Sequence, residues 1–348
     1  MAEFAPGTDL GRAFYQEAVA PRLAGRRHSA ARLGPGSDVL GYDTPRSTDH
    51  DWGARVAVLV DHGQPHPLAG VPAEFRGWPT EAVVVGIGTF LTWQLGFDPR
   101  GGITTIDWLV TPQQSLLSVT AGAVYHDGLG ELEAVRRQLA WYPREVWLWQ
   151  LACQWRRIAQ EEPFPGRAAE AGDPLGCRVL VGRLVRDVMR LCLLLERRYA
   201  PYPKWLGAAF ARLDSAATIG PLLAAALAAP DWPAAQRPLV AAYQQAAIRH
   251  NRLGLTMAAD AGPRPFHDRP YLVIDADRFT DACLAAMTDR ALAALPPLGA
   301  IDQFVDSTDV LGFRPTICRH IGRIFDAVAP VTEGMASRTK RATDPGQR

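Results

Sequence analysis

Two aspartates, Asp49 and Asp51, stand two residues apart and run directly into the apolar segment Arg55–Val60 (RVAVLV). Side chains of a strand alternate faces, so both carboxylates are expected on one side. Adjacent carboxylates repel, and such a pair is tolerated where a cation compensates. Hard oxygen ligands suit Mg²⁺. Gly36 and Ser37 precede Asp49 in the stretch GSDVLGYDTPRSTDHDW. A glycine lets the backbone approach a ligand closely, and a serine hydroxyl with free N–H groups can hold phosphate oxygens. Asp107 lies between Ile106 and Trp108 in ITTIDWLV (103–110), which reads as a strand; a charge there needs a partner or a metal. Three carboxylates on neighbouring strands beside a Gly-Ser turn are what metal-assisted nucleotidyl transfer requires. One ion holds the triphosphate while a second activates the attacking hydroxyl.

The elements that must position these residues follow from the pattern. Residues 4–24 read as a helix, 55–60 and 103–110 as strands, and 119–127 as a third strand ending at Asp127-Gly128-Leu129-Gly130. Residues 61–80 are rich in Pro and Gly and read as a long irregular connection. Beyond residue 130 helical periods dominate, over 131–142, 145–161, 177–199, 204–213, 219–229, 233–254, 277–293 and 315–329, with a Pro/Gly-rich loop at 162–176. The expected fold is α+β: a mixed sheet with flanking helices over 1–130, then an all-α helical bundle over 131–330 and a frayed polar tail over 331–348.

Composition narrows the function classes. The 348 residues are 48% hydrophobic and 21% charged, which excludes a largely disordered chain. Lys+Arg number 37 against 36 Asp+Glu, a net charge of +1, so a nucleic-acid backbone is a poor match as partner and a small molecule a better one. No apolar run approaches the ~20 residues of a membrane span, and no leader is evident at Met1–Leu10. Five cysteines (Cys153, Cys177, Cys192, Cys283, Cys318) without CxxC spacing read as reduced, buried thiols of a cytoplasmic protein.

The Gly36-Ser37 turn, Asp49-His50-Asp51 before an apolar strand and Asp107 farther on resemble the polymerase-β-type nucleotidyltransferase superfamily. The layout looks closest to streptomycin and aminoglycoside adenylyltransferases. The segments PRSTDHD, TIDWLVTP, AVYHDGLG, YAPYPKWL, HNRLGLT and DRPYLVID are similar to DUF4037, a branch of that superfamily. The resemblance implies an Mg²⁺-dependent enzyme that moves a nucleoside monophosphate, AMP from ATP foremost, to a hydroxyl of a small acceptor and releases pyrophosphate. Asp49, Asp51 and Asp107 match the metal-binding carboxylates, and Asp107 the residue that positions or activates the acceptor. Gly36 and Ser37 match the phosphate cradle and Lys204 a helical-domain cation that reaches the triphosphate; Arg46, on the approach to the aspartates, is a candidate phosphate contact. The chain departs from the pattern at Pro35, which removes a donor before the turn, and in the long link from Val60 to Ile103.

Several of these residues also have plainer readings. Arg46 could bind Asp43 or Asp49, and Lys204 could lay its stem on Trp205. His50 should face away from the aspartates. Asp127 reads as a turn residue, with an acceptor-side base as the alternative. Arg183, Arg186 and Arg190 form a helical stripe. Trp141, Trp147, Trp149 and Trp155 read as packing residues, and Asp275-Ala276-Asp277 as a helix N-cap. A nucleotide-binding regulatory or partner-binding module without transfer activity is the rival function, and a protein or RNA acceptor the rival substrate. A hydrolase lacks its GxSxG.

Overall fold

The computed structural model describes residues 3–325. The expected tail over 331–348 and the end of the helix expected to reach 329 lie outside them. Helix α1 (Gly7–Phe14) continues through a π turn and a 3₁₀ turn to Leu23. The sheet comprises β1 (Ser29–Arg32), β2 (Ala54–Val60), β3 (His66–Pro67), β4 (Glu74–Phe75), β5 (Trp78–Gly86) and β6 (Ala123–Asp127). Its order is β3-β5-β2-β1-β6, with β4 also on β5. β1 is antiparallel to both neighbours, while β2 and β5 are parallel. The sheet is therefore mixed, as expected.

Neither β1 nor β5 was legible as a strand. β1 sits in a stretch of polar and small residues, and it is buried on both faces because a hydrophobic cluster covers each, Ala31 belonging to one and Ala30 to the other. β5 rises out of the Pro/Gly-rich connection and supplies the Val83-Val84-Val85 run opposite Ala57-Val58-Leu59. Parallel partners need a long connection; here it is residues 61–77, which fold back as β3 and β4 against β5 itself.

The segment 103–110 is not a strand. It is helix α3 (Thr105–Val110), following α2 (Ile87–Leu95) and preceding α4 (Gln113–Thr120). Its β-branched residues suggest a strand, but Thr104 and Asp107 form a reciprocal capping box. Two satisfied N–H groups at a helix start outweigh a weak local propensity.

Helices follow as α5 (Leu132–Gln138), α6 (Arg144–Glu161), α7 (Phe164–Glu170), α8 (Pro174–Leu195), α9 (Pro203–Ala211), α10 (Ala216–Ala228) and α11 (Trp232–Arg252). A two-stranded ribbon, β7 (Arg264–Pro265) with β8 (Leu272–Val273), precedes α12 (Asp277–Ala285). Short helices α13 (Arg290–Ala293), α14 (Ile301–Phe304), α15 (Thr308–Phe313) and α16 (Pro315–Ile321) complete the described chain. α7 occupies what reads as a loop, and α12 and α13 break the single helix expected over 277–293.

One hydrophobic cluster runs from Leu33, Leu59 and Val85 on one sheet face through α2 into the helices around Trp149, Trp155 and Tyr243. A second, around Phe14, Val56, Val58 and Val84, fills the other face beneath α1. The four tryptophans named above are buried packing residues, and all five cysteines are buried and unpaired. No helix among the described residues is long and apolar enough to cross a membrane.

Gly53 fixes the junction between the aspartate loop and the sheet. Its φ is +158°, and a Cβ there would lie 2.4 Å from the Pro79 carbonyl oxygen at the start of β5. Gly53→Ala is expected to lower unfolding free energy by about 1–3 kcal/mol, read by urea denaturation. Unchanged stability would mean that β2 and β5 do not approach this closely.

Candidate functional site

The strand registers place the chemistry-bearing segments at one end of the sheet. β1 ends at Arg32, where the antiparallel register sets it beside the beginning of β2. The turn leaving β1 is Gly34-Pro35-Gly36-Ser37, and the loop entering β2 carries Asp49, His50 and Asp51. On the parallel neighbour, Glu81 is in register with Arg55. A cavity of about 230 Å³ opens here, lined by Arg32, Pro35, Arg55, Ala57, Glu81 and Val83 among others.

The turn is held from beneath. Arg32 grips Asp38 through two hydrogen bonds, Nε to Oδ2 at 2.6 Å and Nη2 to Oδ1 at 2.9 Å, both groups buried. The same guanidinium donates to the Leu33 and Pro35 carbonyls. A Cβ on Gly36 would lie 2.3 Å from Asp38 Oδ1, and its φ of +146° also favours glycine. Gly36 and Ser37 thus lie on a turn whose shape is set by a buried ion pair. Past Ser37, the Tyr42 N–H donates back to the Ser37 carbonyl at 2.8 Å.

The aspartate loop is a 3₁₀ turn (Pro45–Asp49) leading to an exposed tip. His50 Nδ1 lies 2.7 Å from Asp49 Oδ1, so His50 turns back on its neighbour instead of facing away from the aspartates as expected. Asp51 has φ +50° and a side chain 90% exposed. Its Oδ1 lies 3.9 Å from Arg55, whose Nε is 3.2 Å from Glu81 Oε2. A cation therefore stands between Asp51 and the carboxylate of the neighbouring strand. Trp52, packed on Phe4 and Trp78, anchors the loop, and Asp43 accepts from the Trp52 indole and the Gly7 N–H. Arg46 is exposed and has no ion pair among the described residues, so neither Asp43 nor Asp49 holds it.

Asp107 does not join this group. It is buried at the start of α3, where Oδ2 accepts from the Thr104 amide and hydroxyl and Oδ1 meets Arg319 at 2.7 Å. Burial pushes its carboxyl upward, but the Thr104 hydrogen bonds and Arg319 outweigh this and leave it below the usual range. The expected convergence of Asp49, Asp51 and Asp107 is thus corrected: both Asp107 oxygens are committed to a helix cap and an ion pair. The side chains implied for Mg²⁺ do not fit as a three-carboxylate set, and no group of three or more His, Cys, Asp or Glu among the described residues could hold a metal. Glu81 is the acidic residue that the structure does place beside the aspartate loop. It was missed because its strand was hidden; the Glu-Ala-Val-Val-Val run was the available signal.

Lys204, at the start of α9, has its Nζ 5.0 Å from the Trp205 ring centre. Trp205 stacks on Tyr42 at 5.0 Å, and Arg212 covers the Tyr42 ring at 4.0 Å. The helical part of the chain is thereby seated on the segment that follows Ser37, with Lys204 at its edge.

Other candidates have structural duties. Asp127 accepts from Ser29 Oγ and from the Gly130 and Glu133 N–H groups; burial raises its carboxyl, but those bonds bring it below the usual range. Arg183 meets Glu161, Arg186 meets Asp306, and Arg190 donates to the Asp302 carbonyl. Asp275 and Asp277 pair with Arg264 and Arg156; neither side chain caps α12.

Residues 108–206 match the family model described as Domain of unknown function (DUF4037). The match takes in α4–α8, β6 and Lys204, but begins after the turn and the aspartate loop. No curated protein matches the chain. A solved structure, that of a nucleotidyltransferase-like protein from Exiguobacterium sibiricum, is similar at 11% identity with a TM-score of 0.36, over 75% of this chain and 83% of that one.

Asp107 yields a direct test of its corrected role. A carboxyl depressed on folding contributes stability that is present above its unfolded pKa of ~3.9 and lost as pH falls through the folded value. Asp107→Asn is expected to cost about 2–4 kcal/mol at pH 7. Its stability should also fall less steeply than wild type in acid, measured by denaturation between pH 3 and 7. Equal acid slopes would remove Asp107 from this account.

Proposed function

We propose that the protein is a nucleotidyltransferase-type enzyme. In this reading it binds a nucleoside triphosphate at the Gly34–Ser37 end of the sheet. It then moves the nucleoside monophosphate, AMP from ATP foremost, to a hydroxyl of a small acceptor. The observation that supports this most is the register of β1, β2 and β5, which sets the phosphate-type turn, the Asp49–Asp51 loop and the Arg55–Glu81 pair side by side.

The acceptor oxygen attacks the α-phosphorus and gives up its proton, which the exposed Asp51 carboxylate would accept. The bond from that phosphorus to the bridging oxygen breaks, and pyrophosphate leaves. Gly36 and Ser37 N–H groups would receive phosphate oxygens. Arg55, Arg46 and Lys204 would offset the charge of the triphosphate and leaving group, which is the larger part of the protein's task in such transfers. Arg32 is excluded from that role by its bonds to Asp38. Glu81, whose carboxylate meets Arg55, would hold that guanidinium in place beside Asp51. Five unpaired thiols support a reducing, cytoplasmic setting.

A nucleotide-binding module without transfer is the second reading. It is favoured by the lack, among the described residues, of a cluster able to hold a metal.

Calorimetry with ATP, with and without Mg²⁺, and a pyrophosphate-release assay separate the two. Asp51→Asn and Glu81→Gln are expected to reduce release about 100-fold or more, while Asp107→Asn leaves it within about threefold at a temperature where that variant is folded. ATP binding without release over a broad acceptor panel would select the module. No ATP binding would overturn both readings.

A further inference from the structure

Two adjoining cavities lie between Tyr42 and the ends of α5 and α8. One, of about 280 Å³, includes Leu40, Tyr42, Arg198 and Arg212 in its lining. The other, of about 410 Å³, includes Glu133, Arg136, Arg137, Arg197 and Arg198. They share Leu117, Ala121, Arg198 and Tyr199, and so form one trough. It starts beside the segment that follows Ser37, since the Tyr42 N–H is bonded to the Ser37 carbonyl.

The charge of this trough departs from that of the chain. Five arginines line it against one carboxylate, Glu133, whereas the whole protein carries +1. Two arginines are committed. Arg136 donates to the Val119, Thr120 and Ala121 carbonyls and lies 3.7 Å from Glu133. Arg212 covers Tyr42 and donates to the Gly41 carbonyl. Arg137, Arg197 and Arg198 are exposed and have no carboxylate partner among the described residues. Glu196, the nearest acid in sequence, is taken by the Asp214 and Ser215 N–H groups and by Arg249. Helices α5 and α8 end here, and each C-terminus offers about half a negative charge. Two such ends and Glu133 still leave an excess of about three positive charges.

Arg197 carries a further cost. It has φ +55° just past the end of α8, a conformation glycine adopts without penalty. Its guanidinium lies 5.4 Å from the Trp147 ring centre.

We propose that this trough binds the acceptor, and that the acceptor is a small phosphate-bearing molecule held by Arg137, Arg197 and Arg198. Guanidinium groups match phosphate oxygens in forked pairs. A single-stranded nucleic acid is a poorer match, because it needs free aromatic faces for its bases. Tyr42 is covered on one face by Arg212 and stacked with Trp205, and Tyr199 is buried. The identity of the occupant as an acceptor rests on the transfer reading; the anion site does not.

The test uses inorganic pyrophosphate as probe, by calorimetry at fixed ionic strength, on protein saturated with a non-hydrolysable ATP analogue. One pyrophosphate site is expected to persist. Arg137→Ala/Arg198→Ala should weaken it at least tenfold. Arg197→Gly should weaken it severalfold while the Tm stays at or above that of wild type, a combination that a purely structural arginine would not give. Unchanged pyrophosphate affinity in these variants overturns the proposal, as does complete displacement by the analogue. A ten-nucleotide RNA that outcompetes pyrophosphate in the same arginine-dependent way overturns the small-molecule occupant. If the analogue does not bind but pyrophosphate does, through these arginines, the transfer reading fails and the anion site stands.

Discussion

The buried pair of Arg32 and Asp38 is the constraint on which the candidate site depends. A guanidinium and a carboxylate removed from water are costly unless their hydrogen bonds are complete. Here the two groups meet in a fork, and the remaining Arg32 donors reach the carbonyls of Leu33 and Pro35. Both carbonyls belong to the turn leaving β1. Asp38 is also packed beneath Gly7, at the start of α1. One interaction therefore ties the first helix, the first strand and the phosphate-type turn together. Loss of either partner would leave an unpaired charge in the interior, at about 3–5 kcal/mol.

From that anchor the chain divides into rigid and exposed parts. The turn and the strands are fixed by buried contacts, while the Asp49–Asp51 tip stands out in solvent with Asp51 in a left-handed conformation. Aspartate tolerates that region better than most residues. Arg55 supplies a counter-charge to both Asp51 and Glu81, which otherwise would repel each other across neighbouring strands. The aromatic stack of Tyr42 and Trp205 then joins the turn-bearing segment to α9. The hydrophobic cluster likewise runs without a break from the sheet into the helices.

Much of the architecture was legible. RVAVLV is β2, and the long amphipathic stretches beyond residue 130 are helices, because burial of one helix face leaves a periodic mark. The buried cysteines and tryptophans followed from composition and spacing. The Gly-Ser turn and the aspartate loop do share one end of the sheet. Thr104 and Asp107 show how a strand reading fails: the run is β-branched, yet a threonine three residues before an aspartate is a helix-start signal. The alternation of ITTIDWLV gave no weight to it.

What the amino-acid order determined alone was the inventory: which segments are periodic, where a turn must lie, and which acids could serve a cation. Which acids meet was decided by tertiary structure. Glu81 reaches the site because a parallel register, set over the length of β2 and β5, puts it opposite Arg55. Asp107 leaves it because Arg319, distant in sequence, arrives on α16 to neutralise it. The basic trough arises the same way, from two helix ends far apart in sequence. Local patterns record backbone preference and burial, whereas charge pairing depends on contacts between segments that only packing brings together.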